Sequence, residues 1–256
     1  MVNMLPPERR KIIIEKLQTD KKVIVSRLSS LLDVSDETIR RDLEILCKDG
    51  IAIKSYGGAI LNENGNDLPF NVRKLHRPAE KKKIADLVAP LIDDGDKIFL
   101  DASTTAVFVA RSLKIKKRLT VVTNSIEVML ALSDMDDFTV ISTGGRLMGE
   151  YFALCGARAT ESLAAFRADK LIFSCKALCI NEGVFDGIDD FSIIKQEMIA
   201  ASRIKILAAD ISKFGKTAFS KITTMSNIDM VVTDSNPGEG WLDYFAKEKV
   251  ECLFES

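Results

Sequence analysis

Apolar positions first recur at helical spacing, then give way to short apolar runs that alternate with helical stripes. Ile13 and Leu17 fall one turn apart behind Pro6-Pro7-Glu8, which opens a helix with Arg9, Arg10 and Lys11 in its first turns. Leu28, Leu31 and Leu32 mark a second short helix over 26–32, broken by Asp33-Val34-Ser35. Ile39, Leu43 and Leu46, at i, i+4 and i+7, predict a third over Asp36–Lys48, and Ser35 is a suitable N-cap for it. At ~100° per residue Arg41 lies nearly opposite that stripe, beside Glu37, Thr38 and Glu44. Arg40 stands to one side and Asp42 faces inward. Gly50 stops the helix, and 51–55 and 59–61 flank Tyr56-Gly57-Gly58 as a hairpin. A short helix, a three-residue turn, and a helix with polar and basic groups outward form a helix-turn-helix, here with a wing. Glu37 and Arg41 also form an i,i+4 pair, so an isolated Arg40-Arg41 would read as a solvated face. The order of elements, the Ser cap and the wing favour nucleic-acid binding.

A polar, aperiodic linker at 62–67 follows. Pro78 then opens a helix with Ile84, Leu87, Val88 and Leu91 on one face, which Pro90 shortens. Beyond it, strands at Lys97–Leu100, 119–122, 138–142, 171–173, 204–208, Met230–Val232 and 252–254 alternate with helices at 104–113, 125–132, 157–166, 193–201 and 241–247. That alternation predicts an α/β domain with a mainly parallel sheet, whose ligands bind beyond the carboxyl ends of the strands. The strand ends are polar in a consistent way. They run into Asp101-Ala102-Ser103-Thr104-Thr105, Thr123-Asn124-Ser125, Thr143-Gly144-Gly145 and, later, Asp210-Ile211-Ser212-Lys213. Small hydroxyl residues and glycines at such turns leave backbone N–H groups free for a phosphate. Asp101 and Asp210 suit sugar hydroxyls, and Lys213 suits the phosphate charge. A capped turn with an exposed lysine is the plainer alternative for Asp210 and Lys213.

Val34-Ser35-Asp36-Glu37-Thr38-Ile39-Arg40-Arg41-Asp42-Leu43, with Gly50 and Tyr56-Gly57-Gly58-Ala59, resembles the N-terminal signature of the DeoR-type (deoxyribose-operon repressor) family of bacterial transcription regulators. The family writes the wing with His where Tyr56 stands. Residues 68–235 resemble its effector domain through 96–105, 121–125, Gly144-Gly145, Lys195 and 209–215. Ser103 replaces a usual glycine, and Ile193 replaces an acidic residue ahead of Ile194-Lys195. The resemblance implies three segments: a winged helix-turn-helix DNA-binding domain at 1–61, a linker at 62–67, and a sensing and oligomerising α/β domain at 68–256. The last is expected to be similar to ribose-5-phosphate isomerase and coenzyme-A transferase folds. The DNA-binding residues it implies are Ser35, Thr38, Arg40, Arg41, Tyr56, Gly57 and Gly58. Thr38 and Arg41 are best placed for base edges, and Ser35, Arg40, Gly57 and Gly58 for phosphates. The effector-binding residues it implies are Asp101, Ser103, Thr104, Thr105, Thr123, Asn124, Ser125, Gly144, Gly145, Lys195, Asp210 and Lys213.

Charge sharpens this picture. The 256 residues carry 36 Lys+Arg and 37 Asp+Glu, a net −1 that taken whole argues against a nucleic-acid partner. Residues 1–83 hold 17 and 12 of them (+5), leaving 19 and 25 (−6) for 84–256. A basic reader is averaged with an acidic sensor. A balance of +5 per subunit implies that tight binding needs two subunits on one operator and weakens with salt. No apolar stretch approaches the ~20 residues of a membrane span, and the prolines and charges of the first ten residues do not read as a signal peptide. Five cysteines without a CxxC pair read as reduced thiols in a cytoplasm. The lone His76 gives no metal-ligand set, and no cofactor is called for.

The expectation is a repressor of a sugar-metabolism operon, a dimer or tetramer, released by a phosphorylated sugar and not an enzyme. The alternative is a sugar-phosphate isomerase-like enzyme with an accessory DNA-binding domain. Asp101, Glu127, Asp186 and Asp210 are available there as a base.

Overall fold

The computed structural model describes residues 4–62 and 68–255. Contacts divide the chain into two units, Met1–His76 and Arg77–Ser256. Residues 63–67, most of the expected linker, lie outside the described residues.

The smaller unit contains α1 (Pro6–Asp20), β1 (Lys22–Ile24), α2 (Val25–Leu32), α3 (Asp36–Lys48), β2 (Ala52–Ser55), β3 (Gly58–Leu61) and α4 (Phe70–Leu75). Helix α3 has the bounds its apolar stripe predicts. Ile39, Leu43 and Leu46 are buried with Ile13 and Leu17 of α1, Leu28 of α2, and Ala59 and Leu61 of β3. Gly50, at φ 71°, ends α3 by donating its N–H to Cys47 O at 3.1 Å, while the Ile51 N–H reaches Leu46 O at 2.9 Å. That pair of bonds satisfies carbonyls the helix leaves open. The sequence pattern shows a two-stranded wing. The structure adds β1, and the antiparallel order is β1-β3-β2. A strand of three residues is too short to display a period. The sequence assigns 68–76 to the larger unit, whereas contacts group them with the smaller one, where Val72 is buried and Leu68 and Leu75 pack beside it.

The larger unit runs α5 (Pro78–Val88), β4 (Lys97–Leu100), α6 (Thr104–Ser112), β5 (Thr120–Thr123), α7 (Ile126–Leu132), β6 (Thr139–Ser142), β7 (Arg146–Met148), β8 (Ala153–Cys155), α8 (Ala157–Ala164), β9 (Ala168–Phe173), β10 (Ala177–Cys179), β11 (Gly183–Asp186), α9 (Asp189–Ala200), β12 (Ser202–Ala208), β13 (Ser220–Thr223), β14 (Met230–Val232), α10 (Glu239–Glu248) and β15 (Glu251–Leu253). A seven-stranded sheet has the order β15-β14-β12-β9-β4-β5-β6, and every pairing in it is parallel. Its strands are short apolar runs because helices cover both faces. Phe99, Leu171, Phe173 and Leu207 are buried against Leu163 of α8, Met198 of α9 and Phe245 of α10. The chain builds outward from β4 through β5 to β6, then returns to β9 on the other side of β4. The order therefore reverses between β4 and β9, the place where such sheets open a crevice.

Five strands escape the sequence pattern: the hairpin β7–β8 and the antiparallel sheet β10-β11-β13. Each is three or four residues long. Helix α9 begins at Asp189, not 193. Asp189 and Asp190 fill its first turn, where carboxylates offset the positive helix end.

Candidate functional sites

Ser35 caps α3 by accepting the Thr38 N–H at 3.2 Å, and the two hydroxyls lie 2.9 Å apart. Arg40 Nη2 stands 3.9 Å from Asp36 Oδ2, and Arg41 Nε stands 3.4 Å from Glu37 Oε1. Their side chains are 60% and 76% exposed, so these pairs contribute little to stability. Both guanidiniums can exchange a carboxylate for a phosphate or a guanine edge. Asp42 behaves differently. It is buried and accepts Arg9 Nε at 2.5 Å and Arg10 Nη1 at 3.5 Å, which ties α3 to α1. Lys54 of β2 reaches Glu44 at 2.9 Å and ties α3 to the wing. Between α3 and the wing lies a shallow groove of about 210 Å³, lined by Arg40, Glu44, Lys54, Ser55, Gly57 and Gly58. Tyr56 is fully exposed at the tip. Gly57 sits at φ 72° and its carbonyl accepts the Val25 N–H. A Cβ on Gly58 would fall 1.9 Å from Val23 O, so β1 can pair with β3 only if that residue is glycine.

In the larger unit the expected residues gather at the carboxyl ends of the parallel strands. Asp101 follows β4 and is 1% exposed. Its Oδ1 accepts the Ser103 N–H and its Oδ2 accepts the Ser174 N–H, each at 3.1 Å. Lys195 of α9 sets its ammonium 3.2 Å from Asp101 Oδ2 and 2.5 Å from Asp186 Oδ2. Burial works against that charge, but Asp186 and Asp101 outweigh it and hold the Lys195 pKa above its ordinary value. Lys195 is thus a buried charged group at the carboxyl ends of the strands. Its two counter-acids come from the ends of β4 and β11.

Beside it, Thr123 Oγ1 donates to Leu100 O at 2.7 Å and accepts the Ser125 N–H at 3.0 Å. Thr123 therefore joins β5 to β4 and spends its hydroxyl there. Ser103 and Ser125 cap α6 and α7, and Thr104 and Thr105 are buried in the first turn of α6. Asn124 donates from Nδ2 to Leu154 O at 3.1 Å. Its Oδ1 is buried and meets no donor among the described residues. Gly144 and Gly145 carry β6 into the hairpin at φ 64° and 107°. A Cβ on Gly145 would stand 2.7 Å from Cys155 O.

Asp210 forms a second cluster. Its Oδ1 accepts the Ser212 N–H at 3.1 Å and the Ser212 hydroxyl, and Arg77 Nη1 lies 3.5 Å away. Burial pushes the Asp210 pKa up, but Lys213, Ser212, Arg77 and Lys81 together hold it below its usual value. Arg77 Nη2 also lies 3.7 Å from Asp234 Oδ2. The buried Cys175 thiol feels Lys213, Lys195, Asp186 and Asp210 and is pushed up to about 12, chiefly by burial. It sits electrically between the two clusters.

Arg77, Asp234, Ser174 and Cys175 are absent from the sequence-derived set, and Asp186 enters there only as a base. Asp234 had a usable signal, since it follows a buried strand through a threonine much as Asp101 and Asp210 follow theirs. Among the described residues no group of three or more His, Cys, Asp or Glu is placed to hold a metal. No described helix is long and apolar enough to cross a membrane.

The DeoR-like helix-turn-helix domain model matches residues 9–65, and the DeoR C terminal sensor domain model matches residues 76–235. The chain is 37% identical to the HTH-type transcriptional regulator YulB of Bacillus subtilis (strain 168), over 91% of this chain and 90% of that one. It is 32% identical to the glycerol-3-phosphate regulon repressor of Escherichia coli (strain K12), over 91% and 93% of the two chains. The ribose 5-phosphate isomerase A structure from Methanocaldococcus jannaschii aligns with 52% of this chain and 53% of its own, at 14% identity and a TM-score of 0.39.

Proposed function

This chain belongs to the DeoR family of DNA-binding transcriptional regulators, and from that premise we propose that a phosphorylated sugar or polyol, held at the strand ends of its larger unit, releases it from its operator. The regulator is a repressor, as its relatives are named. Thr38 and Arg41 read base edges, while Ser35, Arg40, Tyr56, Gly57 and Gly58 hold the backbone. It works in the cytoplasm as a homodimer or tetramer on an operator of repeated half-sites.

The observation that carries the effector reading is Asn124 Oδ1, a buried acceptor with no donor. Leaving such a group unmet costs about 1–3 kcal/mol, and a ligand hydroxyl would satisfy it. Asn124 is next to Thr123, whose register partner on β4 is Leu100, so it lies beside the turn that carries Asp101. Lys213 supplies a cation for a phosphate, and the first turn of α6 at Thr104 and Thr105 supplies backbone N–H groups. One relative is the repressor of a glycerol-3-phosphate regulon, which agrees with a phosphorylated ligand. The isomerase alternative needs a free carboxylate base; of its four candidates, Lys195 engages Asp101 and Asp186, and Ser212 and Arg77 engage Asp210.

The test is a titration of the full chain on its selected operator with glucose 6-phosphate, fructose 1-phosphate, fructose 6-phosphate and glycerol 3-phosphate. One of them should release DNA and raise the melting temperature, since a ligand at 100 times its dissociation constant stabilises by about 2.7 kcal/mol. Turnover of any of them at enzyme-like rates, with DNA binding unaffected, would sink the reading.

A further inference from the structure

The seven-stranded sheet ends in two edge strands, β15 and β6, and the chain treats them differently. Strand β15 carries Glu251 and lies between Lys249 and Glu255, and Glu255 pairs with Lys83 of α5 at 2.7 Å. Charges of this kind keep an edge from pairing with another chain. Strand β6 reads Thr139-Val140-Ile141-Ser142, without a charge or a proline. Its Val140 and Ile141 are only half-buried, whereas β4 and β5, deeper in the sheet, bury every aliphatic residue they carry. The Thr139 and Thr143 N–H groups reach inward to Leu119 O and Thr123 O at 2.9 and 3.1 Å. Parallel pairing uses alternate residues, so Val140 and Ser142 turn their N–H and C=O groups outward, where no described strand meets them. Leu130 on the preceding α7 and Leu147 on the following β7 are exposed as well.

We propose that β6 is the seam between two copies of this chain: their β6 strands pair antiparallel about a two-fold axis and join the two sheets into one. This deepens the homo-oligomer reading above and rests on it. A two-fold axis sets the strand against itself, and the backbone then selects the register. With the axis at Ile141, Val140 faces Ser142 of the partner subunit, and both outward residues of each strand exchange N–H···O=C bonds. Moving the axis one residue either way leaves one of the two opposite a residue beyond the strand. Charge selects the direction. Asp136 and Asp137 precede β6 and Arg146 follows it, so antiparallel copies bring acid to base at both ends, while parallel copies would set like charge against like. A bare edge of uncharged, β-branched residues is a template for uncontrolled pairing, and the second copy closes it.

The experiment measures the mass of the full chain in solution by analytical ultracentrifugation, for the wild type, Val140→Lys and Glu251→Lys. The wild type should sediment as a dimer or a multiple of one. Val140→Lys sets an ammonium from each copy beside the seam and should weaken association at least tenfold, to half the wild-type mass. Glu251→Lys, on the guarded edge, should stay within twofold of wild type. Ile141→Cys supplies the opposite kind of evidence. Residues on the axis form a non-hydrogen-bonded pair with Cα atoms about 4.5 Å apart, within reach of a disulfide. Mild oxidation should therefore give a covalent dimer of this variant and none of the wild type, whose own five thiols are the control. Melting temperatures report whether Val140→Lys folds, and Ile141→Cys decides if it does not. A folded Val140→Lys at wild-type mass, or an Ile141→Cys that stays uncrosslinked, overturns the seam; if the wild type is still oligomeric, that reading stands with its contact elsewhere. A monomeric wild type overturns both and leaves the edge to a strand of another protein. Release of operator DNA by a sugar phosphate is read separately, so the repressor reading is judged apart from this one.

Discussion

Lys195 is sealed against Asp101: its ammonium lies 3.2 Å from Oδ2, with the two side chains 8% and 1% exposed. Asp186 approaches the same ammonium at 2.5 Å. One cation therefore joins α9 to the ends of β4 and β11. Two carboxylates around one ammonium leave an excess negative charge, which the Ser103 and Ser174 N–H groups on Asp101 offset. The folded-state pKa of Lys195 is raised. Its contribution is therefore complete below the unfolded value of 10.5 and disappears only as pH rises through the folded one. At neutral pH the Lys195 ammonium keeps its charge.

Lys195→Met should consequently cost about 3–5 kcal/mol in urea unfolding, because it strands Asp101 and Asp186 in a dry site. A loss below about 1 kcal/mol would mean that water reaches the pair.

The two arginine sets of the smaller unit should respond in opposite ways. Arg41 is exposed and loosely paired with Glu37, so Arg41→Ala should leave stability within about 0.5 kcal/mol and abolish operator selectivity. Arg9 is 9% exposed and bound to buried Asp42 at 2.5 Å. Arg9→Ala should cost about 3 kcal/mol. Thermal melts and binding to operator and scrambled DNA check both together, and unchanged selectivity in Arg41→Ala would remove it from the base-reading set.

These contrasts show what the sequence carries. The Ser35 cap and Gly50 set the bounds of α3, and the spacing of Ile39, Leu43 and Leu46 turns Asp42 inward, because capping and helix period are local properties. The parallel strands are legible because each is a buried apolar run between helices. Strands β10, β11 and β13 are not, since each is too short for a period and β13 reaches β11 from far along the chain. In the strand-end site, small polar residues mark the turns, and Asp101 and Lys195 meet as a pair. The partners that decide their chemistry are less visible. Asp186 is supplied from another sheet, and Arg77 sits in a basic stretch that reads as solvated until tertiary structure sets it against Asp210 and Asp234. Several of the polar residues at the turns, Ser103, Thr123 and Ser125 among them, are also used by the fold itself.

Glycines of the wing divide by neighbour. Gly58→Ala places a Cβ against the Val23 carbonyl, a backbone atom that moves only if β1 leaves β3. It should cost at least the ~1–3 kcal/mol of ordinary overpacking and weaken operator binding. Gly57→Ala meets nothing within 4 Å and should lose only the ~1–2 kcal/mol of a left-handed residue. Equal melting temperatures for the two variants would contradict the β1–β3 packing.

Buried thiols make the fold sensitive to alkali, and Cys155 and Cys175 are raised furthest, with Cys252 following at about 11. Burial pushes Cys155 and Cys175 up to about 12 from an ordinary 9.0. A raised folded-state pKa gives stability that is whole below the unfolded value and lost as pH climbs through the folded one. The window is therefore pH 9 to about 12, in which the unfolded chain sheds thiol protons that the fold retains. By pH 10 each thiol should cost about 1.4 kcal/mol, read by urea unfolding at pH 7, 8 and 10 under reducing conditions. Replacing both with alanine removes this loss while leaving every other titrating group in place, so the comparison isolates it. The wild type should fall further than the Cys155→Ala/Cys175→Ala variant between pH 8 and 10, and neither thiol should react with a disulfide reagent at pH 8 in the folded protein. Parallel declines in the two proteins, or rapid labelling of Cys175, would show that solvent enters the strand-end site and that the charge on Lys195 is not held in a dry pocket.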